Sequence, residues 1–202
     1  MPDFSIEAEL PFRRIAGVDE VGRGPWAGPV LAAAVVLDPE HIPAGLNDSK
    51  KLSHARRVAL AEAIHARADV GIGQASVAEI EAHNILRATY LAMHRAIDAL
   101  ASPPDYALID GNRIPTDFPC RAQGVVKGDA RSLSIAAASI VAKVARDEIM
   151  VALSQQFPGY SWETNKGYGT PAHQNGLTRL GVTPHHRATF RPIHNILMSK
   201  KI

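Results

Sequence analysis

A single cysteine in 202 residues, Cys120, excludes an intramolecular disulfide, and no cysteine pair is present to frame a zinc site or mark an oxidising compartment. The cytosol is therefore the expected location. No apolar run is long enough for a bilayer: the longest weakly polar stretch, residues 29–37, falls far short of the roughly 20 residues a spanning helix needs. The opening MPDFSIEAELPF carries Asp3, Glu7 and Glu9 and no basic region before an apolar core, which argues against a signal peptide. Neither charge sign is in excess. The 22 Lys+Arg against 20 Asp+Glu leave a formal charge of +2, too close to balance to demonstrate a polyanion partner. Internal repeats, low-complexity runs and long linkers are also missing. Aromatics make up 5% of the chain, but apolar residues make up 46%, enough for one ordinary globular domain with a sizeable core and, by default, a monomer.

The apolar segments that are present read as an α/β pattern. Residues 15–18 and 29–37 are short apolar runs around a glycine turn, which predicts an antiparallel strand pair, and residues 70–75 alternate as a third strand. Ser53 can cap a helix through about Ala66. Ser76 and Glu79 have capping-box form, and residues 84–100 carry apolar side chains at helical spacing until Pro103-Pro104 stops them. Residues 106–109 form a strand ending in Asp110, and residues 123–126 a weaker one. From about Ser132 to Gln156 the sequence predicts a long helix, apolar on nearly all sides in its first half, packed deep against the sheet. Beyond residue 157 the composition turns irregular, with Thr170-Pro171 able to start another helix. The chain thus divides into an extension over residues 1–13, a core over 14–156 and a C-terminal loop and helical region over 157–202.

Acids at strand ends suggest a site at one sheet edge. Asp19 and Glu20 follow the first run, Asp110 ends a later strand, and Asp129 precedes the long helix, so four carboxylates could converge. Neighbours on a regular strand point to opposite faces, so both Asp19 and Glu20 serve one site only if the strand end frays, which Gly22 and Gly24 permit. An all-oxygen set suits Mg²⁺ or Mn²⁺, and no His-x-x-x-His or Cys-x-x-Cys competes with it. Each acid taken alone is explained as well by a turn or capping role.

Gly22-Arg23-Gly24 is not a dinucleotide fingerprint, because Pro25 follows at once and Gly28 falls one position late. A side-chain-free turn beside metals lets backbone approach a ribose, and Arg23 can reach a phosphate; an ordinary hairpin turn explains the motif equally well. Residues 48–51, with Ser49 and Lys50, offer hydroxyl and ammonium donors for phosphates, and Tyr168 in Lys166-Gly-Tyr168 offers a ring for stacking. Most of the basic residues in these turns are also explained as solvated surface. His185-His186-Arg187 reads as phosphate contact or packing rather than a metal site. The ending from His194 to Ile202 lacks the Gln-led aromatic pattern of a sliding-clamp-binding tail.

Taken in order, Ala16-Gly-Val-Asp-Glu-Val-Gly-Arg-Gly-Pro25, Leu46-Asn-Asp-Ser-Lys-Lys-Leu52, Leu108-Ile-Asp-Gly-Asn112, Val126-Lys-Gly-Asp129, Ala137-Ala-Ser-Ile-Val-Ala-Lys-Val144 and Lys166-Gly-Tyr168 closely resemble bacterial ribonuclease HII. The resemblance runs from about residue 14 to 195. It implies a ribonuclease H-like α/β fold: a five-stranded mixed sheet flanked by helices, with a helical C-terminal appendage. It also implies Mn²⁺- or Mg²⁺-dependent hydrolysis of RNA in RNA/DNA hybrids and nicking 5′ to single ribonucleotides in duplex DNA, leaving 3′-hydroxyl and 5′-phosphate ends. By similarity Asp19, Glu20, Asp110 and Asp129 bind metal, Gly22, Arg23 and Gly24 meet the 2′-OH and junction phosphate, and Tyr168 stacks under the next deoxyribose. Asn47, Ser49 and Lys50 complete the expected substrate contacts. Two rivals remain open: a DNA nuclease on the same fold, which would need no 2′-OH reader, and a non-catalytic hybrid-binding module, which could dispense with the acids.

Overall fold

Small residues set how closely the layers pack. In the computed structural model, which describes residues 1–199, β1 (Ile15–Val21) and β2 (Val30–Val36) form an antiparallel pair. β2, with the sequence Val-Leu-Ala-Ala-Ala-Val-Val, is buried at every position, as a strand covered on both faces must be. β3 (Asp69–Ala75) adds antiparallel to β2, while β4 (Tyr106–Asp110) and β5 (Arg121–Val125) run parallel to β1. The order is β3-β2-β1-β4-β5, the expected five-stranded mixed sheet. The glycine turn joins β1 to β2, and the longer excursions before β3 and β4 carry helices.

The helices begin at the capping signals. α1 (Ser5–Ala8) is a single turn near the N-terminus; α2 (His54–His65) starts at Ser53, whose hydroxyl accepts from the Arg56 amide. α3 (Val77–Asp98) starts at the Ser76/Glu79 capping box and kinks at Asn84, whose side chain caps the second half by accepting from the Leu86 and Arg87 amides. α4 (Leu133–Gln156) starts at Ser132. One sheet face, with Ala16, Val18, Ala32 and Ala34, packs on α3; the other, with Ala33 and Val35, packs on α4 and α2. Gly17 lets α4 rest directly on β1, since a Cβ there would fall 2.0 Å from the Ser134 carbonyl carbon.

Two terminal segments are knit into this frame. The Glu7 carboxylate accepts from the Ser132 hydroxyl at 2.6 Å and the Ser134 amide at 2.9 Å, and Asp3 exchanges backbone bonds with Arg131 and Leu133. The residues ahead of β1 therefore cap the start of α4, just after Asp129. At the other end, α5 (Trp162–Asn165), α6 (Pro171–Leu180) and α7 (Arg191–Ser199) gather a small core of Tyr160, Trp162, Leu177 and Ile193 around Ala27 and the Met150 turn of α4. This is the expected helical C-terminal region, and it shares its core with the glycine turn's own flank. Residues 200–202 of the ending considered as a clamp-binding tail lie outside the described residues. No described helix is long and apolar enough to cross a membrane.

Candidate active site

The parallel register of β1 and β4 places Val18 opposite Ile109, so Asp19 and Asp110, one step further, neighbour each other at the C-terminal edge of the sheet. Asp129 follows β5 on a short turn that leads into α4. Glu20 alternates to the opposite face. The fraying that the sequence suggested at the acids does not occur: β1 runs through Val21, because Glu20 and Val21 still pair with Ala32 and Leu31 of β2. Glu20 and Asp110 nevertheless line one cavity of about 450 Å³, together with Arg23, Tyr90, Asn112 and Arg113. The edge position, rather than fraying, brings the two faces to one opening.

Burial, then the charges of Glu20 and Asp110, hold the Asp19 carboxyl well above the usual carboxylate range. Burial also raises Glu20, with Asp110 adding to it and Arg23 opposing; burial, Asp110 and Asp48 raise Asp129 against the pull of Lys50. Each carboxylate leans on a different neighbour. Asp19 accepts from the Glu20 amide at 2.7 Å, Glu20 from Arg23 Nη1 at 3.2 Å and Asp110 from the Gly128 amide at 2.6 Å, while Asp129 lies 3.7 Å from Lys50 Nζ. Among the described residues, accordingly, no three His, Cys, Asp or Glu side chains are already arranged to hold an ion. The donor chemistry does fit one: an all-carboxylate set suits a hard divalent cation, and neither Asp19 nor Asp110 forms an ion pair among the described residues. Asp19, Glu20 and Asp110 each engage their local hydrogen-bond partner through one oxygen, which leaves the other for a cation.

Of the three residues expected from the 46–52 segment, Lys50 is the one presented outward. Its partial burial draws the ammonium down, but Asp129, Asp48, Asp19 and Asp110 outweigh this and hold it above its ordinary range. Ser49 is buried, its hydroxyl 2.9 Å from the Ser139 hydroxyl of α4, a bond that anchors the segment against the helix. Asn47 is partly buried and accepts from the Asp48 amide at 2.9 Å, a turn-forming bond.

The glycine turn and Tyr168, far apart in sequence, meet. Gly22 has φ 93, and a Cβ there would lie 2.2 Å from Arg146 Nε, so its bare α-carbon faces inward. Gly24 faces outward: an added Cβ would meet Tyr168 Cε1 at 3.5 Å and nothing closer. The half-exposed Tyr168 ring thus borders a slot that a side chain at 24 would fill. The Trp26 amide donates to the Gly167 carbonyl at 2.8 Å and ties the two loops together.

Four buried residues cluster near the turn; Arg146 and His173 had no expected role, and His186 and Arg187 only the phosphate contact or packing expected of their motif. Arg146, Arg187 and His173 are fully buried, and His186 nearly so. His186 packs, as one of the two expectations for it held, with its Nε2 3.0 Å from His173 Nε2, and His173 Nδ1 lies 2.9 Å from the Tyr168 carbonyl. Arg146 carried no distinct sequence signal, since Lys143, Asp147 and Glu148 surround it in the charged middle of α4. Arg187 had only its place beside two histidines.

Known proteins resemble the chain along nearly its whole length. Residues 16–194 match the family described as Ribonuclease HII. A Ribonuclease HII of Roseobacter denitrificans is 62% identical over 192 residues, covering 95% of this chain and 97% of that one. Among solved structures, the ribonuclease H2 of Pyrococcus horikoshii OT3 superposes with a TM-score of 0.79 at 25% identity, covering 94% of this chain and 99% of that one. Bst-RNase HIII in complex with Mn²⁺ shares the fold with a TM-score of 0.77 at 23% identity, over 96% of this chain and 72% of that one.

Proposed function

The chain belongs to the ribonuclease HII family and is an endonuclease of the ribonuclease H kind, and we propose that it nicks 5′ to single ribonucleotides in duplex DNA as well as cleaving long RNA/DNA hybrids. The observation that carries this reading is the meeting of Gly24 and Tyr168, where an added Cβ at 24 would touch the Tyr168 ring at 3.5 Å, in the loop that also carries Arg23 into the acidic cavity. A DNA nuclease on the same fold would need the acids but not the slot. A module that only binds hybrids would need neither Asp19 buried among like charges nor the strain of keeping it there.

In this reading Asp19, Glu20, Asp110 and Asp129 hold Mg²⁺ or Mn²⁺; a ribonuclease HIII of the same fold was crystallised with Mn²⁺. Bound there, divalent cations would neutralise the scissile phosphate and acidify the attacking water, leaving 3′-hydroxyl and 5′-phosphate ends. The chain's own groups orient the substrate. Arg23, tethered to Glu20, can move its guanidinium to a phosphate when Glu20 turns away, and Lys50 does the same from the Asp129 side. The Gly24 backbone approaches the ribose without a side chain in the way, which is what distinguishing a 2′-OH requires. The Tyr168 ring supports the sugar beyond it.

A defined duplex carrying one ribonucleotide, incubated in Mg²⁺ and in Mn²⁺, tests the proposal. One nick 5′ to the ribonucleotide, leaving a 5′-phosphate, is expected. Equal cleavage of the all-DNA duplex would eliminate the sugar reading, and binding without cleavage in either metal would leave only a hybrid-binding module.

A further inference from the structure

Arg146 and Arg187 are each fully buried, and among the described residues neither forms a salt bridge. A buried cation costs several kcal/mol unless its donors are matched. Here they are matched by backbone alone. Arg187 donates from Nε to Gly28 O at 3.0 Å, from Nη1 to Arg23 O at 3.0 Å, and from Nη2 to Gly22 O at 2.6 Å, Gly28 O at 2.8 Å and Pro29 O at 3.2 Å. Arg146 donates from Nε to Pro29 O at 3.0 Å, from Nη2 to Ala27 O at 3.1 Å and from Nη1 to Lys166 O at 2.9 Å. Together the two forks hold the carbonyls on both sides of the glycine turn and the carbonyl that begins the Tyr168 loop.

Carbonyl direction fixes amide direction. In a trans peptide the C=O and the following N–H point opposite ways. With the Gly22 and Arg23 carbonyls drawn inward to Arg187, the Arg23 and Gly24 amides face outward, towards the slot beside Tyr168. Among the described residues neither amide donates to a protein acceptor. Successive outward N–H groups backed by fixed positive charge form a concavity for an oxygen of a hydroxyl or phosphate. Burial, then the neighbouring Arg146, lowers Arg187 to about 9, and burial lowers Arg146 to about 10, so both remain cationic at neutral pH.

We propose that Arg187 and Arg146 are the positioning residues for ribonucleotide discrimination, aiming the Arg23 and Gly24 amides at the sugar and holding Tyr168 opposite them. The inference rests on the reading that this turn meets the 2′-OH. A lysine would keep the charge at either position but cannot bridge several carbonyls at fork geometry, so charge and aim are separable.

Binding measured in EDTA by fluorescence anisotropy tests this, with a duplex containing one ribonucleotide and its all-DNA counterpart, for the wild type, Arg187→Lys and Arg146→Lys, each checked by thermal melting. The wild type should prefer the ribonucleotide duplex, and folded lysine variants should lose about tenfold of that preference, the scale of one charge-assisted bond, while all-DNA affinity changes little. A purely structural role would weaken both duplexes alike and leave the preference intact, which overturns the inference. A wild type without any preference would instead overturn the 2′-OH reading itself. Should neither lysine variant fold, amide exchange on the wild type decides: slowing of Arg23 and Gly24 by the ribonucleotide duplex and not by DNA supports the inference, and unchanged exchange defeats it.

Discussion

At the acidic edge, Asp19, Glu20, Asp110 and Asp129 each lean on a separate neighbour and repel one another, whereas beneath the glycine turn Arg146 and Arg187 have nearly every donor matched by a carbonyl. Both regions bury charge of one sign within the same small molecule. The edge gathers its acids without completing them, so its final geometry depends on what it binds. The floor is complete in the protein alone. Like charges tolerated at the edge make sense where a divalent cation supplies the missing sign; unpaired cations tolerated in the floor make sense where backbone aim matters more than stability. One region should therefore respond to metal and the other should not.

The largest expected effect breaks the edge. Asp110→Asn removes a carboxylate from the cluster and should lower cleavage by about three orders of magnitude or more, as loss of a metal-activated water would. The stabilisation of the wild type by Mn²⁺, about 2.7 kcal/mol at a hundredfold excess over the dissociation constant, should disappear with it. Preference for a ribonucleotide duplex in EDTA should survive. A variant that loses that preference together with the metal response would mean that the two regions are one functional unit. A smaller effect belongs to the slot: Tyr168→Ala should cost about tenfold on a single-ribonucleotide duplex and less on a long hybrid, with metal-induced stabilisation unchanged. Equal losses on both substrates with a weakened metal response would remove the stacking role.

The edge was legible in the sequence and the floor was not, for a physical reason. Asp19, Asp110 and Asp129 sit at the ends of recognisable apolar segments, and residue type alone limits what four carboxylates can hold. Even there, Glu20 and Asp110 line one opening although Glu20 alternates to the face opposite Asp19 on an unfrayed strand, a register effect that no local pattern carries. Arg146 and Arg187 bond to carbonyls, which every residue possesses, so their partners leave no mark on composition or spacing. The anchoring bond of Ser49 was not legible either, because its partner, Ser139, is distant in sequence and a buried serine reads like an exposed one. Glu7 was passed over for the same reason, since its partners Ser132 and Ser134 lie on the far side of the sheet's whole sequence. Capping signals at Ser53 and Ser76 and the helix start at Thr170-Pro171 are local, and Ser53, Ser76 and Thr170 each proved to be a cap.

The smallest predicted effect concerns the histidines under Tyr168 and probes the floor without a substitution. The Thr183 amide donates to His186 Nδ1 at 2.9 Å, so His186 carries its proton on Nε2 and donates it to His173 Nε2. His173 Nε2 also accepts from Trp162 Nε1 at 3.1 Å, which leaves its Nδ1 proton for the Tyr168 carbonyl. Every bond in this chain requires neutral rings. Burial, then His173 and His185, lowers His186 to about 4, and burial lowers His173 against the bonds from Tyr168 and Gly167. In the unfolded chain a histidine takes its proton near about 6.5. Between that pH and about 4 the unfolded state binds more protons, so stability is full above the upper value and is lost as pH falls towards the lower one. Acid should therefore loosen the Tyr168 loop, a change that chelating divalent metal at neutral pH should not produce. Ring-proton NMR titration reads it directly: the His186 signals should stay in the neutral form down to about pH 5, and a midpoint near 6.5 in the folded protein would show that the floor is not the dry, self-satisfied layer contrasted here with the edge.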